Sequence, residues 1–213
     1  MKHISIILSL LLIVGSIHAQ VELDIDKGRI YAGEDGFKQA WQNIRKGDDF
    51  YQMHNATGYQ GALNFYLKAY DYNSNVPELN YKIGACYLYS QEKAKALKYL
   101  QEAYEKEPDI TRDIRLLLAE AHQVQYNFDK AIAFFQKYRS GLSPSKLNKR
   151  KDFLERRIQQ CKRGKKMVND PARVVIENLG STVNTKYPEY SPLISADGSK
   201  MIFTSRRPGT TGG

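Results

Sequence analysis

Alanine returns at residues 62, 96 and 131, at intervals of 34 and 35 residues. Each time a bulky side chain follows four positions later: Tyr66, Leu100 and Phe135. Seven positions after the alanine stand Ala69, Ala103 and Tyr138. Steps of four and seven share one face of a helix, so each set marks a face where a small and a large residue meet a partner. Residues 81–108 show the complete unit. Ile83, Gly84 and Tyr87 lie on one face of a first helix, Ala96, Leu100 and Ala103 on one face of a second, and Pro108 closes it. Small residues at Gly84, Ala96 and Ala103 let the backbones approach, and Tyr87 and Leu100 fill what remains. One such pair keeps an exposed apolar flank and needs stacked neighbours.

The spacing and the small/large/proline pattern resemble the tetratricopeptide repeat, a helix-turn-helix unit of about 34 residues. The resemblance implies a mainly α fold, an α-solenoid of three helix pairs over residues 37–142. In repeat one, Phe37, Trp41, Ile44 and Tyr51 return at helical spacing, but Gly47-Asp48-Asp49 reads as an interruption and a solvated helix start. Repeat three runs from about Thr111 to Gly141, with Leu118, Ala119 and His122 mirroring Ile83, Gly84 and Tyr87. Tyr138 replaces a small residue, so the last pair is expected to splay there. Pro77, Pro108 and Pro144 punctuate the joins. In such arrays the first helices line a concave groove. By register that groove is lined by Glu78, Tyr81, Ala85, Leu88 and Tyr89 in repeat two, and by Asp113, Leu116, Glu120 and Gln123 in repeat three. Tyr81, Leu88 and Tyr89 suit an apolar or aromatic segment of a protein partner. The Lys and Asn pattern of carboxylate-clamp repeats is missing, so an acidic C-terminal peptide is not expected.

The ends of the array carry different signals. Residues 1–19 read as a secretory signal peptide: Lys2, an apolar run from Ile4 to Val14, and a small-residue exit ending at Ala19. The run is short of the ~20 residues that span a bilayer, so the mature protein is expected to be exported and soluble. Residues 20–36 are a loosely ordered lead-in. Residues 143–168 read as a basic capping helix, with Leu147, Leu154, Ile158 and Cys161 on one stripe and Gly164 near its end. Between residues 145 and 166 stand ten Lys or Arg against Asp152 and Glu155, so nearly all of the formal +9 lies on this helix. Its second reading is an anionic contact through Lys149, Arg150, Arg156, Arg157, Lys162 and Arg163, toward a phospholipid headgroup, a peptidoglycan carboxylate or an acidic partner. Nucleic acid is not expected, because no aromatic stacking platform accompanies the charge.

From Asn169-Asp170-Pro171 the pattern changes to β over residues 169–213. Arg173-Val174-Val175-Ile176, Leu193–Ser195 and Lys200–Ser205 read as strands, and Asp197-Gly198 as a hairpin turn. Residues 190–207, YSPLISADGSKMIFTSRR, resemble a β-propeller blade of the TolB kind. Signal peptide, repeats, basic helix and blade in that order resemble the OmpA-family periplasmic proteins of the Bacteroidetes. Some of that family are accessory components of type IX secretion, held to peptidoglycan by a C-terminal domain. A propeller needs several blades to close, so the β segment is an incomplete start and the chain is expected to be the N-terminal part of a longer protein. The resemblance implies a non-catalytic scaffold, periplasmic and associated with the outer membrane. The alternative is the binding module of an exported, propeller-containing hydrolase.

Chemistry-bearing motifs are absent. His54 stands alone, His122 occupies a repeat core position, and no HExxH, paired CxxC, GxSxG, Walker loop or dinucleotide fingerprint occurs. No catalytic residue, metal, cofactor or small-molecule substrate is therefore expected. Cys86 and Cys161 read as two buried thiols.

Overall fold

The structure is a computed structural model that describes residues 23–171 and 173–209; the expected signal peptide lies outside them. The fold is mainly helical with a short two-stranded antiparallel sheet. It divides into two compact units at residue 170, each described by itself.

The helical unit begins with a short turn of helix, α1 (Lys27–Ile30), capped by the Asp26 carboxylate, which accepts from the Gly28 and Arg29 amides. Three helix pairs follow: α2 (Phe37–Tyr51) with α3 (Ala56–Tyr72), α4 (Pro77–Leu88) with α5 (Ala96–Lys106), and α6 (Ile114–Val124) with α7 (Phe128–Ser140). A final helix, α8 (Pro144–Asn169), closes the series. Their starts follow ordinary rules. Asn55 caps α3 by accepting from Gly58 N at 2.8 Å, the Thr111 hydroxyl accepts from Ile114 N, and proline occupies the first turn of α4 and α8. Each helix packs on the next in chain order.

Ala62, Ala96 and Ala131 are fully buried, and so are Tyr66, Leu100 and Phe135. Opposite them sits a small residue on each first helix. A Cβ on Gly84 would lie 2.5 Å from Leu100 Cγ, and one on Gly47 would overlap the Tyr66 ring. Ala119 holds the matching place in the third pair, within the same apolar cluster as Ala131 and Phe135. Gly47 therefore does not interrupt a helix. It lies inside a continuous α2 and makes the closest approach of the first pair.

Helix α4 lies at the centre, with every residue from Glu78 to Leu88 buried. Tyr138, expected to splay the third pair, is buried. Its ring lies beneath the Arg150 guanidinium, and its hydroxyl, beside Asp113, is pushed up to about 12, mainly by burial. Leu154, Ile158 and Cys161 of α8 join Leu116, Ala119, Ala131 and Phe135 in one apolar cluster, the arrangement expected of a cap. Gly164 does not end α8. A Cβ there would lie 2.6 Å from Phe128, and the helix continues to Asn169. Both cysteines are free and buried.

The lead-in is ordered where the sequence suggests looseness. Ile30 is fully buried and Ile25 nearly so, both within the main core. The backbone is held as well. Asn73 Nδ2 donates to the Ile30 carbonyl at 3.1 Å and lies 3.4 Å from that of Arg29. The Tyr72 hydroxyl accepts from Ala32 N and donates to the Gly33 carbonyl.

In the β unit, β1 (Glu189–Ile194) pairs with β2 (Met201–Ser205) in the register Glu189↔Ser205, Tyr190↔Thr204, Leu193↔Ile202 and Ile194↔Met201. A bulge falls between Tyr190 and Leu193, where Ser191 has φ +55°. The Asp197-Gly198 turn forms as expected. The Asp197 carboxylate accepts from the Ser195 and Ser199 hydroxyls and the Ser199 amide, which hold its pKa down to about 2. Arg173–Ile176 does not form a strand. It has no pairing partner among the described residues, and Ile176 is 92% exposed.

Alanine is favoured over glycine inside a helix by ~1 kcal/mol, so a tolerated Gly84→Ala exchange would stabilise. The 2.5 Å approach to Leu100 reverses the sign. Gly84→Ala is expected to lower stability by about 1–3 kcal/mol in urea unfolding. Gly141→Ala, whose nearest neighbour would lie at 3.6 Å, should change it by less than about 0.5 kcal/mol.

Candidate functional site

The surface that the repeat register assigns to a groove is largely filled. Tyr81, Ala85, Leu88 and Leu116 are core residues, and Glu78 and Glu120 are buried. Only Tyr89, Asp113 and Gln123 keep partial exposure. At Glu78 and Glu120 the chain supplies its own partners, from the lead-in and from α8. Over the second pair lies the lead-in, whose Arg29 Nη1 donates to both Glu78 and Glu107. Over the third lies α8, whose Arg157 pairs with Glu120 at 3.3 Å and rests on the Phe135 ring. Tyr81 turns inward toward Thr111 and Asp113, and burial raises its pKa above the usual phenol range. The Tyr89 ring packs on Tyr59 with centroids 5.1 Å apart.

One part of this side stays open, at the first pair. A cleft of about 660 Å³ is bounded by α2 (Trp41, Arg45, Asp48, Asp49, Tyr51), by Gln52 and His54 beyond it, by Lys82 of α4, and by Leu23–Ile25 of the lead-in. Its floor is polar and tied. Lys82, only 4% exposed, donates to Asp48 Oδ1 at 2.5 Å, and the Tyr66 hydroxyl donates to the same oxygen at 2.6 Å. The Lys82 ammonium also lies 5.6 Å and 5.9 Å from the Tyr51 and Tyr66 ring centres. Burial, then the neighbouring Asp48 charge, drives the Tyr66 phenol far above its usual range. Burial likewise raises the Cys86 thiol, which rules it out as a thiolate nucleophile at neutral pH.

Asp48 is therefore no solvated helix start. It is committed to Lys82 and Tyr66, while Asp49 beside it is exposed. Two carboxylates divided in this way do not form an acid/base pair. The spacing that could have revealed it is Gly47, Gly84 and Ala119, at 37 and 35 residues. Asp48 follows Gly47 as Ala85 follows Gly84 and Glu120 follows Ala119, so all three are inner-face positions. Among the described residues no group of three or more His, Cys, Asp or Glu is placed to hold a metal ion, and no helix is long and apolar enough to cross a membrane.

The six basic candidates of α8 separate into two sets. Arg150 and Arg157 are half-buried over Tyr138 and Phe135, and they belong to the packing of the cap. Lys149, Arg156, Lys162 and Arg163 are exposed. Lys149, Arg156 and Arg163, seven residues apart, form one outward stripe.

No family model matches the chain, and no curated protein matches it.

Removing the carboxylate would leave the Lys82 charge buried without its partner. Asp48→Asn is expected to cost about 3 kcal/mol, the lower end of the ~3–5 kcal/mol range for an orphaned buried charge, because a quarter of the Asp48 side chain is exposed. Adding Lys82→Met should recover at least half of that loss in urea unfolding.

His122, stacked on Phe134 with centroids 5.5 Å apart, has its pKa lowered by burial and then by Lys130. In the unfolded chain it titrates near ~6.5, so the unfolded state binds the proton first as pH falls. Its contribution is complete above that value and is lost as pH drops toward the lower folded value. Between about pH 7.5 and about pH 5.5 the urea midpoint of the wild type should fall further than that of His122→Phe.

Proposed function

We infer that the chain is a non-catalytic protein–protein interaction scaffold of the tetratricopeptide-repeat kind. The observation that carries this is the recurring interhelical crossing. Ala62, Ala96 and Ala131 are fully buried at the same place in three successive pairs, each against a large residue and a small partner. A unit built by repetition gains binding area by lengthening its surface, whereas a reaction needs several committed groups at one point. The charged groups of the cleft at the first pair are bound to each other, as Asp48 and Lys82 are, or exposed, as Arg45 and Asp49 are, which favours holding a partner.

On this reading the protein is exported and works in the bacterial envelope, in the periplasm at the outer membrane. The β unit is the start of a propeller, as in the OmpA-family proteins it resembles, and the service is to type IX secretion or to peptidoglycan attachment. The partner segment sits on the first-helix side, beginning at the cleft of Trp41, Arg45 and Asp49. The exposed stripe of α8 meets anionic envelope material.

Two experiments test this reading. A photo-crosslinking residue at Trp41, Gln52 or Tyr89 should trap a protein partner in cells, and the same residue at Gln101 or Gln136, on the second helices, should not. Equal trapping from both sides, or from neither, rejects the surface. Charge reversal of Lys149, Arg156 and Arg163 to Glu should abolish salt-sensitive binding to vesicles rich in anionic lipid without lowering the melting temperature. Reversal of Arg150 and Arg157 should lower the melting temperature instead.

A further inference from the structure

The lead-in is held as a peptide is held. Side chains of the body read its main chain: Asn73 Nδ2 reaches the Ile30 carbonyl, with the Arg29 carbonyl at 3.4 Å, and the Tyr72 hydroxyl bonds Ala32 N and Gly33 O. Its fully buried aliphatic anchor is Ile30, and Ile25 is nearly as buried in the same core. One guanidinium, on Arg29, spans two helices by meeting Glu78 of α4 and Glu107 after α5. Main-chain contacts, one apolar anchor and one charged anchor are the parts of a peptide-recognition site.

The resident segment fits this site incompletely. Arg29 uses Nη1 for both carboxylates, and neither Nη2 nor Nε makes a bond among the described residues. Beneath it, Glu78 is 6% exposed, and its Oε2 has no hydrogen-bond partner. A buried carboxylate oxygen left unmet is costly, and a guanidinium seated squarely on Glu78 would fill it by a two-pronged pair. The segment also has a place to swing. Gly33 at φ +137° and Gly36 at φ +80° flank Glu34-Asp35, and nothing lies near where a Gly33 side chain would be.

We propose that the shelf formed by Asn73, Tyr72, Glu78 and Glu107 is a docking site for a short peptide that carries one turn of helix, and that residues 23–33 are its built-in, displaceable ligand. The exchanging partner is a protein segment with an arginine directly before an aliphatic residue, the arginine paired two-pronged with Glu78 and the aliphatic side chain in the Ile30 site. The inference deepens the scaffold reading and rests on it. A tethered segment competes at an effective concentration on the order of millimolar, so the closed arm masks the shelf from weak ligands and yields to a better-fitting one.

The test uses the full chain and a fluorescent peptide of residues 23–34. Wild-type protein should bind it weakly. The full-length variant Arg29→Ala/Ile30→Asp, whose own arm no longer holds, should bind it at least about tenfold more tightly. Adding Glu78→Gln to that variant, or placing the Arg29→Ala/Ile30→Asp changes in the peptide, should remove binding. A folded variant that ignores the peptide overturns the proposal. If the variant does not fold, hydrogen exchange on the wild type decides: amides of residues 29–33 that open ahead of those in α4 and α5 support a displaceable arm, and amides that open only with them overturn it. Peptide binding with no partner trapped at the cleft in cells would retain the shelf and reject the scaffold reading. A trapped partner with no peptide binding would do the reverse.

Discussion

The helical unit depends on how closely two backbones can come. At Gly47 and Gly84 even one methyl group would strike the facing Tyr66 or Leu100. That closeness sets the tilt of each pair and leaves the next helix only one seat. With the crossing repeated three times, the apolar flank of each pair is covered by its successor. The last flank is covered by Leu154, Ile158 and Cys161 of α8. Several tyrosines serve the packing with their rings while their hydroxyls reach a polar edge. Tyr66 meets Asp48, Tyr70 meets Glu102, and Tyr72 meets the backbone of the lead-in.

The same economy explains why little of the first-helix side is free. α8 brings Arg157 to Glu120, and the lead-in brings Arg29 to Glu78. Buried carboxylates on inner positions require cations, and here both cations come from segments outside the three pairs. Only at the first pair does the body supply its own cation, Lys82 for Asp48. There the covering segment runs alongside as a wall, and a cleft remains.

The second-helix faces were legible from residue spacing alone, and so were the cap stripe and the Asp-Gly turn, because period and residue size carry that information directly. Gly47 was misread because glycine signals both a break and a close contact, and only the facing Tyr66 tells them apart. The burial of Tyr81 and Ala85 is not legible in the spacing, since a helical period shows which way a side chain points and nothing about what packs against it. The fate of the lead-in was illegible for the same reason. Arg29 and Ile30 gain meaning only from Glu78, Asn73 and Glu107, which lie 43 or more positions farther along the chain. Val174–Ile176 has the composition of a strand, and composition does not provide a neighbour to pair with.

Helix α4 has no face turned to water. Repeat arrays commonly fray from an end, one unit at a time. In this molecule the middle helix is clasped from both directions, by Asp48 before it and by Asp113 and Thr111 after it, and is roofed by Arg29. Loss of the first pair would take Asp48 from Lys82 and bare a charged lysine on α4, so unravelling from that end is penalised early. Once the lead-in has lifted, the three helix pairs should melt as one block, and a protease should find them either whole or gone.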